Sequence, residues 1–486
     1  MKRVFSAFLV ALLAAYFSGC SSCPPPAHTP FSGVKLVNMV PAAFSSETRQ
    51  DSEPFLAVDF SNPARMVGTA FTPNPFGTSG NAPIYVSTNN GDSWFLNFTV
   101  PSFGEFGTSD ITVAGTHSPL RVYSGILKVP GGLLMNILNS NDFAGGSTLS
   151  LLRSRSQIDQ PFIQAATIAN TERIYVGNND FNVTDGKTAT VDVSLDGGAT
   201  FRAVRIEPRS TGSAWQNGPS IRPAVANDGT VYVAYFGWRS FISSTAFGDV
   251  VVVRDDNGGA GATPFQDLTD PSDNLPGRIV VSGIRIPWSN SPTLGNERIG
   301  STLSIAVQRT NSNIVYVAWA DGQNSTYTLH VRRSTDRGQT WTGDLRTVGN
   351  ATCTSVAVAD NGTAGFLYQH VTTSTLVPPC NGRWETRLEQ STNGFATFDN
   401  ILLANVPADD PNPSFLPYIG DYNFLVAVGN EFRGVFSANN FPDRDNFPNG
   451  VTYQRNVDFA NKRLLDNNGG TVRVSIDPFY FSVPVR

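Results

Sequence analysis

Carboxylates, arginines and aromatic residues recur at one kind of place in this chain, immediately before short apolar runs. Glu53 precedes Pro54-Phe-Leu-Ala-Val-Asp59, and Asp110 opens Asp110-Ile-Thr-Val-Ala114. Asp159 and Gln160 precede Pro161-Phe-Ile-Gln-Ala165, and Arg222 opens Arg222-Pro-Ala-Val-Ala226. Glu297 and Arg298 come before Ser301-Thr-Leu-Ser-Ile-Ala-Val307, and Tyr418, Asp421 and Tyr422 before Phe424-Leu-Val-Ala-Val428. A second set closes other apolar runs: Asn178-Asn179-Asp180, Trp238-Arg239, Trp319 with Asp321, His370 and Asn439. This mixture suits sugar chemistry, with aromatic faces for pyranose rings and charged groups for hydroxyls and carboxylates. Each member also has a purely structural role open to it. Glu53 caps a strand, Arg222 and Arg298 make rim ion pairs, Trp238 and Trp319 pack between sheets, and His370 is structural.

The elements that hold these residues announce themselves by repetition. The phrase Ser-x-Asp/Asn-x-Gly-x-Thr/Ser-aromatic begins at Ser87, Ser194 and Ser334, with a degenerate copy at Ser391. Starts 334 and 391 lie 57 residues apart, and 87 and 194 lie 107 apart, close to two such units. A unit of roughly 50–60 residues is too long for a helical repeat pair and suits a four-stranded propeller blade. The phrase reads as a turn. The Asp or Asn accepts backbone N–H bonds two residues on, Gly takes a positive φ, and the Trp or Phe buries ~150–250 Å2 between sheets.

Seven copies of the apolar inner run, the seventh being Thr354-Ser-Val-Ala-Val-Ala359, predict seven blades. The fold class expected is all-β, a seven-bladed β-propeller of four-stranded antiparallel blades, with a six-bladed ring as the alternative. Alternating runs such as Thr230-Val-Tyr-Val-Ala-Tyr235 read as strands. Asp255-Asp256-Asn257-Gly258-Gly259 reads as an eroded copy of the turn phrase. Val34-Lys-Leu-Val-Asn38 and Thr471-Val-Arg-Val-Ser475 are expected to close the ring. With the repeated turn joining third and fourth strands, the entries to the innermost strands emerge on the opposite face, around a central funnel.

The turn phrase resembles the Asp-box, or BNR repeat, of sialidases and their non-sialidase relatives, over nearly all of residues 33–486. That resemblance implies three arginines for a substrate carboxylate, a Tyr nucleophile assisted by Glu, and an Asp acid/base. By position the candidates are Arg222, Arg239 and Arg298; Tyr418 or Tyr422; Glu53 or Glu297; and Asp110, with Asp421 beside the tyrosines. Trp238, Asp180 and Asp321 join the arginines as candidate substrate contacts. The family's aromatic-Arg-Ile-Pro segment has its nearest match in Ile284-Arg285-Ile286-Pro287, mid-chain and without the aromatic, which counts against sialidase activity. A fold does not fix a function. A surface glycoside hydrolase, a non-catalytic glycan- or protein-binding propeller, and an envelope scaffold all remain open.

Residues 1–19 carry a positive start, Lys2-Arg3, and an apolar run too short to span a bilayer comfortably. With Phe17-Ser18-Gly19-Cys20 they resemble a bacterial lipoprotein signal, which implies lipidation of Cys20 and, with Ser21 following, the outer membrane. Residues 20–32 contain Pro24-Pro25-Pro26 and read as a stiff tether. Cys353 and Cys380 flank one blade and are candidates for a disulfide in an oxidising envelope. No metal and no cofactor are expected. A net charge of −5 without a basic cluster argues against nucleic acid. The expected partner is a glycan or glycoconjugate, or a surface protein, with membrane contact only through the lipid and the protein a monomer.

Overall fold

The computed structural model describes residues 30–486 apart from 72–80, 102–109, 117–120, 129–132, 142–148, 210–219, 244, 288–293, 295–296, 299, 301, 323–326, 373–381, 409 and 412–418. The signal, the tether and Cys20 therefore lie outside the described residues.

The seven apolar runs are the first strands of seven consecutive antiparallel meanders. These first strands are Ser52–Val58, Ile111–Gly115, Ile158–Ile168, Ile221–Val225, Leu303–Gln308, Ala351–Val358 and Phe424–Val428. Each packs against the next, and the last packs against the first, so they close a ring about one axis. The fold is a seven-bladed propeller, and the six-bladed alternative is excluded. Inner strands are covered on both faces by neighbouring blades. Ser52–Val58 and Ala351–Val358 are accordingly buried at every position, and their sequences lack a regular polar alternation.

Both chain ends build the seventh blade. Its strands run Phe424–Val428, Glu431–Asn439, Ile476–Pro484 and then Lys35–Asn38, with Leu36 opposite Phe481 and Val37 opposite Tyr480, and a short fifth strand, Thr452–Tyr453, pairs parallel at the outer edge. The N-terminal half of the closure is as expected from Val34–Asn38. The C-terminal half is not. Thr471–Val472 joins a three-stranded minor sheet with Val457–Asp458 and Arg463–Leu465. The closing strand is Ile476–Pro484, because it carries Phe479, Tyr480 and Phe481, all fully buried.

The repeated turns join third and fourth strands in blades 1, 3, 5 and 6. Their geometry is constant. Ser194 Oγ donates to Asp196 (2.8 Å) and accepts from Gly198 N (2.9 Å), while Asp196 accepts from Thr200 N (2.9 Å). The Ser334 copy gives 2.7, 2.8 and 2.9 Å. The carboxylate thus reaches four residues on, not two, and the serine supplies the second acceptor. In the degenerate copy Phe395 stands in the glycine's place at φ 65°. A left-handed non-glycine costs roughly 1–3 kcal/mol. Here it is offset by burying the Phe395 ring edge-on to Phe366, 6.1 Å between centroids. These turns share one face with the first-to-second-strand hairpins, which leaves the opposite face to the inner-strand entries.

A carboxyl cluster at the hub as candidate active site

Where the inner strands begin, blades 1, 2, 3, 5 and 7 each deliver a carboxylate to the axis. Glu53 comes from blade 1, Asp110 from blade 2, Asp159 from blade 3, Glu297 from the segment entering blade 5, and Asp421 from the segment entering blade 7. Three entries are bent for the purpose. Glu53, Gln160 and Cys353 sit at φ 51°, 53° and 51°. Each coincides with a register shift against the second strand, between Ser52 and Phe55, Asp159 and Phe162, and Thr352 and Ser355. A bulge re-aims a side chain that a regular strand would point into the sheet. Gly420, at φ 116°, lets the segment before blade 7 press on the Glu53 backbone; a Cβ there would lie 2.4 Å from Glu53 N.

Arg298 ties the cluster together. Its Nε donates to Asp421 Oδ1 at 2.8 Å and Nη2 pairs with Asp421 Oδ2, while Nη2 stands 3.5 Å from Glu53 Oε1. Gln160 Nε2 reaches Asp421 at 3.5 Å. Glu53 and Asp110 hydrogen-bond to each other. Burial, then the charges of Asp421 and Asp110, push the Glu53 carboxyl well above the ordinary range, against the pull of Arg298. Burial also raises Asp110, but the bond from Glu53 lowers it. The pair is held in contact by one shared hydrogen bond, and burial disfavours a second charge on it. Asp159 is raised to about 7, by burial first and then by the Asp110 charge. Two like carboxyls in contact resist ionising together, and a gathering of perturbed carboxyls is the mark of a candidate functional site.

An aromatic layer floors the cluster. Phe55 meets Phe162 edge-on at 4.9 Å and Tyr422 at 6.1 Å. Arg222 stacks on Phe162 at 4.2 Å and on Tyr422 at 5.2 Å, with Nε donating to the Leu303 carbonyl at 3.2 Å. Burial lowers the Arg222 guanidinium to about 10. Burial, followed by the charges of Glu53 and Asp110, pushes the Tyr422 phenol well up. Below Asp421, Glu297 accepts from Ile419 N at 2.7 Å and Cys353 Sγ donates to the Gly420 carbonyl at 2.9 Å. Both fix the loop that carries Asp421.

Of the residues singled out in the sequence, Glu53, Asp110, Arg222, Arg298, Asp421 and Tyr422 converge on the hub; Tyr418 lies outside the described residues. The residues drawn from second-strand ends do not converge there, among them the candidate substrate contacts Arg239, Asp180, Trp238 and Asp321. Arg239 binds Glu207 at 2.9 Å and Asp249 at 2.8 Å. Asp180 pairs with Arg155 of the neighbouring blade. Trp238 stacks on Phe241 at 5.6 Å, and Asp321 takes His330 Nε2 at 3.2 Å. All four belong to second strands, one layer out from the axis, where they fasten strands and blades. Arg285 of the Arg-Ile-Pro match is on the outermost strand of blade 4 and donates to the Gly322 carbonyl at 3.0 Å. The expected Cys353–Cys380 bridge is not formed: Cys353 is a free, buried thiol committed to the hub loop, and Cys380 lies outside the described residues. The aromatic floor was overlooked. Two of its rings follow a proline at an inner-strand entry, in Glu53-Pro54-Phe55 and Gln160-Pro161-Phe162, but the same Pro-Phe pair also occurs elsewhere, for instance at 75–76, 264–265 and 478–479, and so does not single them out.

No protein-family model and no curated protein matches the chain. Among solved structures, an α-L-arabinofuranosidase of Fusarium graminearum is 12% identical, covering 76% of this chain and 97% of its own, at TM-score 0.44. An α-L-arabinanase of Penicillium chrysogenum is 11% identical, covering 91% and 97%, at TM-score 0.43. A leech intramolecular trans-sialidase is 11% identical, covering 68% and 66%, at TM-score 0.38.

Proposed function

We propose that the protein is a glycoside hydrolase working from its hub, held at the cell envelope by a lipid on Cys20. The observation that carries the reading is the gathering of buried carboxyls at the hub: Glu53 in contact with Asp110, Asp421 bound to Arg298, and Asp159, raised to about 7, within their field. Glycoside hydrolysis needs one carboxyl that keeps its proton at working pH and another that accepts one. Glu53 delivers its proton to the glycosidic oxygen as the anomeric carbon–oxygen bond breaks. Asp159 takes a proton from the water whose oxygen bonds to that carbon. Arg298 holds Glu53 and Asp421 in register, and the Arg222 and Tyr422 faces floor the sugar site.

Two features favour a neutral glycan over a sialoside. The arginine set is short of Arg239, and both hub arginines are already engaged, Arg298 by carboxylates and Arg222 by ring faces and a carbonyl. Tyr422 is a poor nucleophile, because its phenolate is disfavoured by burial and by two neighbouring carboxyls. A panel of fluorogenic pentosides, hexosides and sialosides tests the reading. Turnover of a neutral glycoside that is lost in Glu53→Gln and in Asp110→Asn supports it. Glycan-array binding with no turnover on any substrate replaces it with the binding propeller.

A further inference from the structure

The inner strands enclose more than the hub. Behind the Phe162–Arg222–Tyr422 layer a cavity of about 140 Å3 runs along the propeller axis towards the face that carries the repeated turns. At ~30 Å3 per molecule that is room for roughly four or five waters. Three of its lining residues keep a buried polar atom without a hydrogen-bond partner: Thr354 Oγ1, Asn423 Oδ1 and the Tyr422 hydroxyl. All three residues are less than 5% exposed. An unpartnered buried polar atom costs roughly 1–3 kcal/mol, and a site that is both roomy and polar takes up water. At the far end Arg309 stacks on Phe60 at 3.6 Å and donates to Asn227 at 3.3 Å.

We infer that this channel is a water conduit that feeds the hub carboxyls from the opposite face, with the Arg309–Phe60 stack as its outer closure. The supply role rests on the hydrolase reading; the water column does not. A glycan seated over Glu53 and Asp159 blocks the funnel side, so the attacking water has to come from behind. Tyr422 is the link between the two: it lines the channel, and its phenol lies within the field of Glu53 and Asp110. Ala306 and Ala357, on neighbouring inner strands, keep the bore open with the smallest side chains that have a Cβ.

The test uses Ala306→Leu and Ala357→Leu, which fill the bore, and Arg309→Gln, which loosens its far end without entering it. Oxygen-17 water relaxation dispersion counts the long-lived internal waters whether or not the protein is an enzyme. The wild type is expected to hold several. The leucine variants should hold fewer and lose at least tenfold in kcat with KM unchanged, and Arg309→Gln should shorten the water residence time at least tenfold. No long-lived waters in the wild type, or an unchanged residence time in Arg309→Gln, overturns the conduit. Waters lost without any change in kcat overturn the supply role and leave the hydrolase reading standing. A wild type that turns over no glycoside overturns that reading and the supply role together, while the water count still decides the column. If the leucine variants fail to fold, Arg309→Gln decides the matter by itself.

Discussion

Arg455 offers the sharpest test of how the ring is closed. It lies in the insertion between the second and third strands of blade 7, and its side chain is 0% exposed, as is that of Asp477. It contacts both Asp477 oxygens, at 3.2 and 2.9 Å, and donates to the Ser45 and Glu47 carbonyls at 2.8 and 2.6 Å. Ser45 and Glu47 belong to the N-terminal segment and Asp477 to the closing strand, so one guanidinium ties both chain ends together. Arg455→Met removes the charge and keeps much of the volume. It leaves a buried carboxylate with no cation beside it, a loss of about 3–5 kcal/mol, or roughly two to three and a half decades in the unfolding equilibrium at about 1.4 kcal/mol per decade.

The effect should depend on pH. Burial, then Asp51 and Asp477, raise the Glu47 carboxyl well above its ordinary value, and Arg455 opposes them. A carboxyl raised on folding binds more protons in the native state, so its contribution is favourable at low pH and is lost as pH rises towards the folded value. Removing Arg455 raises Glu47 further. The gap between wild type and variant should therefore widen once the pH passes the wild-type Glu47 value, and should narrow nowhere as pH rises. Urea unfolding followed by tryptophan fluorescence reads both quantities, as a lower midpoint at unchanged m. A loss under 1 kcal/mol, or a gap that narrows with rising pH, would refute this account of the closure.

Other outcomes follow from the same geometry. Gly420→Ala should abolish turnover while leaving the fold intact by circular dichroism, because its Cβ would lie 2.4 Å from Glu53 N; full activity in this variant contradicts the hub contact. Ser334→Ala leaves the buried Gly338 N–H without its acceptor and should cost roughly 1–3 kcal/mol in urea unfolding. Cys353, its thiol pushed up by burial and then by Glu297, should resist iodoacetamide in the native protein and react only in denaturant. Modification of native Cys353, seen by peptide mass mapping, would contradict its place beneath the hub loop.

The ring was legible because its signals are local and repeated. Seven apolar runs marked seven inner strands, and four copies of one phrase marked four outer hairpins. The hub residues on those runs were legible too, since the entry of an innermost strand has one place to go. The second-strand ends misled. Arg239, Asp180, Trp238 and Asp321 share the face of the hub but sit one layer out, and radial distance leaves no trace in a strand pattern. Cys353 was read as half of a bridge because spacing cannot show that its backbone, at φ 51°, turns the thiol inward. Thr471–Ser475 lost the closing role to the more apolar 476–484, a contest decided by buried aromatic area. The Glu53–Asp110 contact is a pairing between neighbouring blades, and nothing local to either residue announces it.

The dependence of Glu53→Gln on leaving group tests the hub chemistry most directly. General acid catalysis contributes about 10²–10⁴ where the leaving group needs a proton and little where it does not. The variant should lose that factor in kcat/KM on an alkyl or methylumbelliferyl glycoside, yet stay close to wild type on the corresponding 2,4-dinitrophenyl glycoside. Equal losses on both substrates, or no loss on either, would contradict Glu53 as the proton donor.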